Sequence, residues 1–368
     1  MTPTLITTAA GLAALNTRLL CAEAVALDTE FFWERTFYPV LGLVQLATPD
    51  GCWLADVVRL GDLSALAPLI ASPSVTKVLH DAPQDLAILA RATGAVPRSV
   101  FDTRLAAGFA GLSATLSLQA LLQAVLGVAI AKGETRSDWL RRPLSDNQIR
   151  YAAEDVLHLI PLRAALLERC AGKRARGWLD QELARLDDPS RYGERPPEEM
   201  FRRVKGAARL NPRQLALLRE VADWREREAR RRDWPRSHVL PDPVMVSVAL
   251  QGPSDARALA AVPDFPSRMP VELAGQVLAA VERGKALPES ACPEPSGRNP
   301  AAARALKAPT DRLLAHLRAA CEKEGIDPGW VASRGEAESL VQSFARGDAS
   351  AHPFLRDWRQ TLLAGFTL

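Results

Sequence analysis

The chain has 368 residues, a formal net charge of +3 and 48% hydrophobic residues. These values are those of a globular protein with a sizeable core and two or three domains, and they exclude a polycation. Five scattered cysteines form no CxxC pair, and their odd number argues against a disulfide framework and for reduced thiols.

The sequence predicts no membrane segment. The N-terminus lacks the basic region of a signal peptide. The longest apolar stretch, "LQALLQAVLGVAIA", is too short to cross a bilayer. We therefore expect a cytoplasmic protein that is not associated with a membrane.

Four short apolar runs at the start of the chain predict β-strands. The first three follow one another with short connections, which suits an antiparallel meander. In chain order the runs are "AVALDTEF", "LGLVQLAT", "CWLADVV" and "VTKVLH".

Helical patterns lie between and after these strands, namely "LSALAPLIAS", "PQDLAILARAT", "SLQALLQAVLG" and "SDNQIRYAAEDVLHLIPLRAALLERC". In the last pattern Ser145 or Asp146 can cap the N-terminus, and Pro161 should kink or break the helix. Residues 1–172 are therefore predicted to form one α/β domain, with a mixed sheet flanked by helices.

The composition changes after residue 172. Residues 173–236 contain 18 Lys and Arg against 12 Asp and Glu, and no strand-like alternation follows. The segments "DDPSRYGERPPEE" and "ALPESACPEPSGRNPAAA" predict linkers by their Pro, Gly and Ser content. We predict a helical connection over 173–208, a helical domain over 209–286, a linker over 287–303 and a second helical domain over 304–368.

Two carboxylates lie close together at the end of the first predicted core strand. Residues i and i+2 of a strand point to the same face, so Asp28 and Glu30 lie side by side. Like charges at this spacing repel and raise each other's pKa unless a cation lies between them. The pair predicts a cation site if other acids in the chain complete it.

Two predicted helices supply further acids. Asp85 lies near the start of one helix, and Tyr151 and Asp155 lie one turn apart on one face of another. The order D-x-E, then D, then Y-x-x-x-D, on one strand and two helices, is the signature of the DEDD exonucleases. This order resembles the subclass that has a Tyr near the last Asp. The other subclass has a His five residues before that Asp, and here Arg150 occupies that position.

Longer stretches resemble ribonuclease D over nearly the whole chain. They include "LDTEF", "ERTFYPVLGLVQLA", "VLHDAPQDL", "FDTRLAAGFAG" and "KGETRSDWLRRPLSDNQIRYAAEDVLHL". The stretch "LNPRQLALLREVADWREREARRRDWPRSHVLPDPVMVSVA" resembles the HRDC module, and residues 304–368 resemble a second, less typical HRDC copy.

The resemblance implies an RNase H-like 3′–5′ exonuclease domain over 1–172, followed by two all-α HRDC-like domains over 209–286 and 304–368. It also implies 3′→5′ hydrolysis of RNA with a free 3′ end, tRNA precursors and other small RNAs among them. The implied products are nucleoside 5′-monophosphates.

The same resemblance implies two divalent ions, Mg²⁺ or Mn²⁺, for which carboxylate oxygens are suitable ligands. Asp28 would bridge both ions, Glu30 and Asp155 would hold the ion that activates water, and Asp85 would help to hold the other. Tyr151 is assigned to orienting the attacking water, because a phenol is a poor base at neutral pH. It could instead only pack over the site.

Four residues are weaker candidates for substrate binding. Phe31 could stack on the terminal base or belong to the core. Gln45 is polar in an apolar strand and could contact substrate or face solvent. Arg231 and Arg232 belong to an arginine-rich run that suits phosphate contacts, although the acids within the run also suit a solvated helix face.

Three more residues lie near the motifs without a clear role. His80 and His158 could assist the site, although a single His beside acids is more often structural. Asp81 lies four residues before Asp85, and it could support the site or cap a helix.

Two other functions remain open at this point. A DNA exonuclease uses the same four acids, although the chain has no polymerase or helicase region and has two HRDC-like modules. A catalytically inactive RNA-binding scaffold would not need the intact acid set that this sequence retains. The preferred RNA and the arrangement of the helical domains stay open, and nothing in the sequence requires more than a monomer.

Overall fold

The computed structural model describes residues 1–130, 133–134, 137–295 and 300–367. Contacts between residues divide the chain into two units. The first unit comprises Met1–Phe32, Leu41–Gly193 and Ala303–Leu368, and the second comprises Trp33–Val40 and Glu194–Ala302.

Six strands of the described residues form one mixed sheet in the first unit. The strands are β1 (Thr4–Ile6), β2 (Ala24–Phe32), β3 (Val40–Thr48), β4 (Gly51–Asp56), β5 (Thr76–Leu79) and β6 (Val100–Asp102). Their order across the sheet is β1-β4-β3-β2-β5-β6. β1 is parallel to β4, β3 is antiparallel to β4, and β5 is parallel to both β2 and β6.

The four predicted strands are confirmed as β2 to β5, and the antiparallel pairing is confirmed for β3 and β4. The edge strands β1 and β6 were not predicted. Each has three residues and a partner that is distant in sequence, so its own pattern carries little signal.

Helices flank the sheet. In the first unit they begin with α1 (Ala9–Leu19), α2 (Val57–Leu60), α3 (Ala67–Ala71), α4 (Pro83–Thr93), α5 (Thr103–Phe109), α6 (Leu118–Leu126), α7 (Asp146–Leu157), α8 (Leu159–Cys170) and α9 (Arg174–Ala184). The second unit contains α10 (Pro212–Arg232), α11 (Arg236–Val239), α12 (Asp242–Gln251), α13 (Ala256–Ala260) and α14 (Val271–Ala286). Last in the chain are α15 (Pro300–Glu324) and α16 (Arg334–Arg346). Among the described residues, no helix is both long enough and apolar enough to span a bilayer.

The long helical pattern that ends at Cys170 is broken as predicted, into α7 and α8. Ser145 caps α7, because its hydroxyl accepts the Gln148 N–H at 3.2 Å while the Gln148 side chain accepts the Ser145 N–H at 3.0 Å. The break lies at His158, and Pro161 falls in the first turn of α8, where a backbone N–H has no helical partner in any case.

Apolar cores lie on both faces of the sheet. Alternate residues of β2 enter different clusters: Val25 and Leu27 pack with α1 and α3, whereas Ala24 and Ala26 pack with α5, α7 and α8. By the same alternation Asp28 continues the series of Ala24 and Ala26. The acidic motif is therefore on the face of β2 that α7 covers.

The C-terminal residues share the core of the first unit. The Trp358 ring stacks on Trp178 at 5.0 Å, and its indole N–H donates to Glu182 at 2.8 Å. The Asp327 carboxylate accepts the Ala114 N–H at 2.6 Å. The assignment of residues 304–368 as a second HRDC-like domain, and the predicted domain boundaries, remain predictions.

The second unit is built around the long helix α10. Its core contains residues of α10, α12 and α14, together with the buried Phe37 from the segment Trp33–Val40. On α14, Gly284 lies against α10 so closely that a Cβ atom would be 2.7 Å from the Leu217 Cα. Glycine is therefore required where these two helices meet.

Candidate active site

Adjacent elements of the first unit bring the predicted acids together. Asp28 lies in the middle of β2, Glu30 lies two residues further along the same strand, and Asp85 lies in the first turn of α4. Because α4 follows β5, which is the parallel neighbour of β2, the start of α4 returns to the end of β2 that carries the motif. α7 contributes Tyr151 and Asp155.

Three of the four acids converge directly. Carboxylate oxygens of Asp28, Glu30 and Asp155 all lie within 4.8 Å of one another. Asp85 lies outside this group of three but is joined to it by Thr29, whose hydroxyl donates a hydrogen bond to the Asp85 carboxylate. Thr29 is the middle residue of the D-x-E motif, so the motif itself fixes the fourth acid.

Desolvation and like-charge repulsion raise the pKa values of the two carboxylates on β2, Glu30 and Asp28. Desolvation raises the pKa of Glu30 to about 9, with further contributions from the charges of Asp155 and Asp85. Desolvation also raises the pKa of Asp28 well above its ordinary value, and Asp85, Asp155 and Glu30 add to the shift. Both carboxylates are therefore disfavoured as anions in the absence of a positive charge.

The two helix acids are shifted less. Desolvation raises the pKa of Asp85 to about 6 and that of Asp155 to about 7. Hydrogen bonds from Thr29 to Asp85 and from Tyr151 to Asp155 oppose the shift, because they stabilise the carboxylate form.

The four carboxylates are suitable ligands for a divalent cation. Within the described residues, none of the four carboxylates forms a salt bridge with Lys or Arg. Converging carboxylates without a countercharge are the oxygen ligands that hard cations prefer. The described residues therefore supply no countercharge for these four acids.

A buried carboxylate that the sequence did not predict holds the turn before Asp85. Asp102 is 3% exposed and accepts the backbone N–H groups of Asp81 and Ala82, each at 3.0 Å. Asp81 adopts a left-handed φ of +61°, and its own carboxylate pairs with Arg104. The signal for Asp102 is the "FDTR" sequence, in which an Asp directly precedes a helix and can cap it.

A second network fixes the loop before α7. The Arg142 guanidinium binds the buried Asp56 carboxylate at 2.7 Å and donates to the carbonyls of Trp139 and Gly42, both at 2.8 Å. A Cβ atom at Gly42 would be only 2.5 Å from the Trp139 carbonyl oxygen. The Trp139 ring lies 6.1 Å from the Tyr151 ring, so this network positions the aromatic wall beside Tyr151.

Comparison with known proteins agrees with this geometry. Residues 3–171 match the 3′–5′ exonuclease family, and residues 214–281 match the HRDC domain. Ribonuclease D of Desulfotalea psychrophila is 35% identical over 363 residues, which are 98% of this chain and 96% of that protein. The chain belongs to the ribonuclease D family. The protein is accordingly a 3′→5′ exoribonuclease, that is, a hydrolase with an HRDC domain.

Two further comparisons extend the family relationship. Ribonuclease D of Escherichia coli is 37% identical over 294 residues, which are 79% of this chain and 77% of that protein. The crystal structure of Escherichia coli RNase D matches with a TM-score of 0.85 and 32% identity, covering 99% of this chain and 97% of that chain. The α/β exonuclease fold and the helical region that follows it are thereby confirmed. The family also implies dependence on a divalent metal, for which the acidic group is the candidate site.

Burial contradicts both roles that we considered for Gln45, namely contact with the substrate and exposure to solvent. The residue is completely buried within β3, so its side chain is not exposed for RNA to contact. Gln45 is flanked by apolar residues on β3, so the sequence did not indicate whether its side chain points to the core or to the surface. Phe31, next to the motif on β2, is half-buried, and both of its predicted roles stay open.

The two histidines differ in their surroundings. The His80 ring lies 3.0 Å from the Thr103 hydroxyl, and burial lowers its pKa to about 4, so that it is neutral at physiological pH. His158 lies at the junction of α7 and α8. Neither His belongs to the group of converging carboxylates.

The predicted RNA-binding arginines lie at the end of α10, in the second unit. Arg231 and Arg232 both pair with the buried Glu228. The Arg231 side chain nevertheless remains 64% exposed, and the Arg232 guanidinium lies over the Trp234 ring. The acids of this run therefore orient the arginines and leave part of their charge at the surface.

Proposed function

We propose that Asp28, Glu30, Asp85 and Asp155, together with Tyr151, form the active site at which this exoribonuclease shortens RNA from its 3′ end. The observation that carries the proposal is the convergence of three carboxylates within 4.8 Å, with the fourth joined to them through Thr29. These residues come from three separate elements, and in the described part of the chain the four acids form no salt bridge with Lys or Arg.

The same residues fit two divalent ions, Mg²⁺ or Mn²⁺. Asp28 would be a ligand of both ions, because it lies beside Glu30 and Asp155 and its pKa is also raised by the charge of Asp85. When bound, such ions supply positive charge to the attacking and leaving oxygens of a phosphodiester. Their binding would also remove the repulsion among the four carboxylates.

Tyr151 is proposed to orient the attacking water. Its hydroxyl hydrogen-bonds to the Asp155 carboxylate and so has a fixed direction. The phenol oxygen retains lone pairs that can accept a hydrogen bond from water. Positioning the nucleophile in line with the scissile bond lowers the entropic part of the barrier, and it does not require the phenol to lose its proton.

The proposed substrate is RNA with a free 3′ end, and 3′-extended tRNA precursors in particular. The Escherichia coli relative is described as an exoribonuclease involved in structured RNA processing. In this chain the exposed Arg231 and the neighbouring Arg232 are proposed to contact phosphates, and Phe31 is proposed to stack on the terminal base. Phosphate contacts give affinity without sequence preference and make binding sensitive to salt.

The decisive experiment incubates the purified protein with a 3′-extended tRNA in Mg²⁺, in Mn²⁺ or in EDTA. We expect stepwise release of nucleoside 5′-monophosphates only with metal. Asp28→Asn should lower the rate by about 100-fold or more, because it removes a charge that acts on the reacting centre. RNA binding should be largely retained.

Asp50→Asn is the matched control, because Asp50 is an exposed acid of the same unit in the turn between β3 and β4. It should leave the rate unchanged. A normal rate in the Asp28→Asn variant would refute the site assignment. Faster hydrolysis of a DNA oligomer than of the matched RNA would refute the proposed substrate.

A further inference from the structure

A cavity of about 360 Å³ opens in the second unit, at the end of α10. Trp234, His238, Met269 and Leu273 form much of its wall, and Arg232 and Arg268 contribute charge. All of these residues belong to the second unit, whereas the four acids belong to the first. The cavity is in the size range of small-ligand sites, with mainly apolar walls and a few polar groups.

Trp234 is the distinctive residue of this wall. It is 45% exposed, although a large aromatic side chain is ordinarily much more buried. The Arg232 guanidinium lies 4.9 Å from the centre of its ring, in cation–π contact. An exposed indole supported by an arginine is a surface on which a planar ring can stack.

The backbone that carries this indole is held in place before any ligand arrives. Asp233 ends α10 in the left-handed conformation with φ +52°, and the Trp234 N–H donates to the Ala229 carbonyl at 3.0 Å. Pro235 follows and restricts the next φ angle. A preorganised aromatic surface loses little entropy on binding, which favours a binding role over an incidental exposure.

The charge around the cavity suits a polyanion. The acid in its wall, Glu228, is already paired with Arg231 and Arg232. Arg268 is exposed and, in the part of the chain that the structure describes, forms no salt bridge. An apolar peptide would gain nothing from these cations, whereas a nucleotide offers both a flat base and a phosphate.

We propose that this pocket receives an unpaired base of the RNA substrate, stacked on Trp234, with Arg232 and Arg268 facing the adjacent phosphates. The inference rests on the proposed function, since it takes RNA as the ligand. It assigns to the HRDC unit a base-binding subsite in addition to phosphate contacts. Stacking of this kind tolerates any base and suits an enzyme that shortens RNA of varied sequence.

The test measures binding of a fluorescein-labelled single-stranded RNA 12-mer to the full chain in EDTA, where hydrolysis does not occur, by fluorescence anisotropy. The matched probe is the same 12-mer with abasic residues in place of its central nucleotides, so that the phosphates remain. Trp234→Ala should weaken binding of the intact RNA about 10-fold, within the range for loss of one stacked base. It should leave binding of the abasic probe unchanged, and Trp234→Phe should restore most of the affinity.

Leu250→Ala provides the control, because Leu250 is an apolar residue of the same unit that is 54% exposed and lies outside the cavity wall. It should bind both probes as the wild type does. Unchanged affinity of Trp234→Ala for the intact RNA would overturn the inference and would leave the pocket to a protein partner. An equal loss for both probes would also overturn it, since that result indicates a structural or phosphate effect.

Failure of this inference is separable from failure of the proposed function. If the wild type releases 5′-monophosphates with Mg²⁺ while Trp234→Ala binds RNA normally, only the base-binding subsite is refuted. If the wild type releases none, the proposed function is refuted whatever the binding result.

Discussion

The two units of the molecule treat their buried acids differently. In the first unit Asp28, Glu30 and Asp155 converge, and no Lys or Arg among the described residues forms a salt bridge with them. In the second unit Glu226 and Glu228 each bind two arginines. The pKa values move in opposite directions. Desolvation and like charges raise the pKa of Glu30 to about 9. For Glu226 the hydrogen bonds and charges of its arginines outweigh desolvation and lower the pKa.

The difference shows what each group of acids is for. A carboxylate that the chain neutralises with its own arginine contributes to structure, since removing its partner would leave a buried charge. Carboxylates that converge without a countercharge among the described residues reduce the stability of the metal-free protein. Such a cost to stability is typical of a functional site.

The largest expected effect comes from removing one charge of the converging group. Asp155→Asn should lower the exonuclease rate by about 100-fold or more, because it removes a carboxylate of the proposed active site. In EDTA the same variant should melt at a higher temperature than the wild type, because it relieves repulsion. Rate assays and thermal melting test both parts, and a lower melting temperature in EDTA would contradict the comparison.

The next largest effect should be stabilisation of the fold by metal, which should depend on the acids of the first unit and not on Glu226 in the second. At a free Mn²⁺ concentration about 100 times its dissociation constant, binding to the folded state should stabilise the protein by about 2.7 kcal/mol. Thermal melting with and without Mn²⁺ measures this shift. Asp28→Asn should lose most of it and Glu226→Gln should keep it, so an equal shift in both variants would place the ion elsewhere.

Neutralising the paired acid should have the opposite effect on stability. Glu226→Gln should destabilise the fold by about 2 kcal/mol, because Arg236 loses the carboxylate with which it pairs and Arg230 keeps only Glu194. Urea unfolding monitored by circular dichroism measures the change. Hydrolysis of a short RNA should remain near the wild-type rate below the unfolding transition, and loss of activity without loss of stability would contradict this assignment.

Asp102→Asn tests the turn that leads to Asp85. One carboxylate oxygen accepts the N–H of Asp81 and the other accepts that of Ala82, so an amide loses one of the two acceptors. We expect the rate constant for hydrolysis to fall about 10-fold with little change in KM, in line with the effect of groups that orient ligands. Asp102→Glu should recover part of the rate, whereas a change confined to KM would argue for a direct substrate contact.

The smallest expected effect is a pH dependence that arises in the second unit. Glu226 has a folded-state pKa below its ordinary value of 4.5. Its stabilising contribution is therefore fully present above about pH 4.5 and is lost as the pH falls through the folded-state pKa. The stability difference between wild type and Glu226→Gln, measured by urea unfolding from pH 6 to pH 3, should shrink as the pH falls. A constant difference would contradict the ion-pair interpretation.

Local patterns predicted much of the fold. The strands β2 to β5, the Ser145 cap and the helix break near Pro161 depend on residues close in sequence, so their signals are visible in a short window. The strands β1 and β6 were missed because three residues carry no pattern without their partners. The packing of Trp358 on Trp178 was missed because the two residues lie 180 positions apart in the chain and no local signal records such a contact.

The sequence by itself determined the strand and helix that carry Asp28, Glu30 and Asp155, and it predicted these acids as cation ligands, because residues at D-x-E and Y-x-x-x-D spacing share one face of a strand or a helix. Only the tertiary structure decided that Thr29 joins Asp85 to the group, that Asp102 holds the turn before it, and that Gln45 is buried. Only the tertiary structure could also show that Glu226 and Glu228 are paired with arginines, whereas Asp28, Glu30 and Asp155 have no salt bridge among the described residues. The reason is physical: desolvation and the nearest countercharge depend on long-range contacts, which the order of residues does not state.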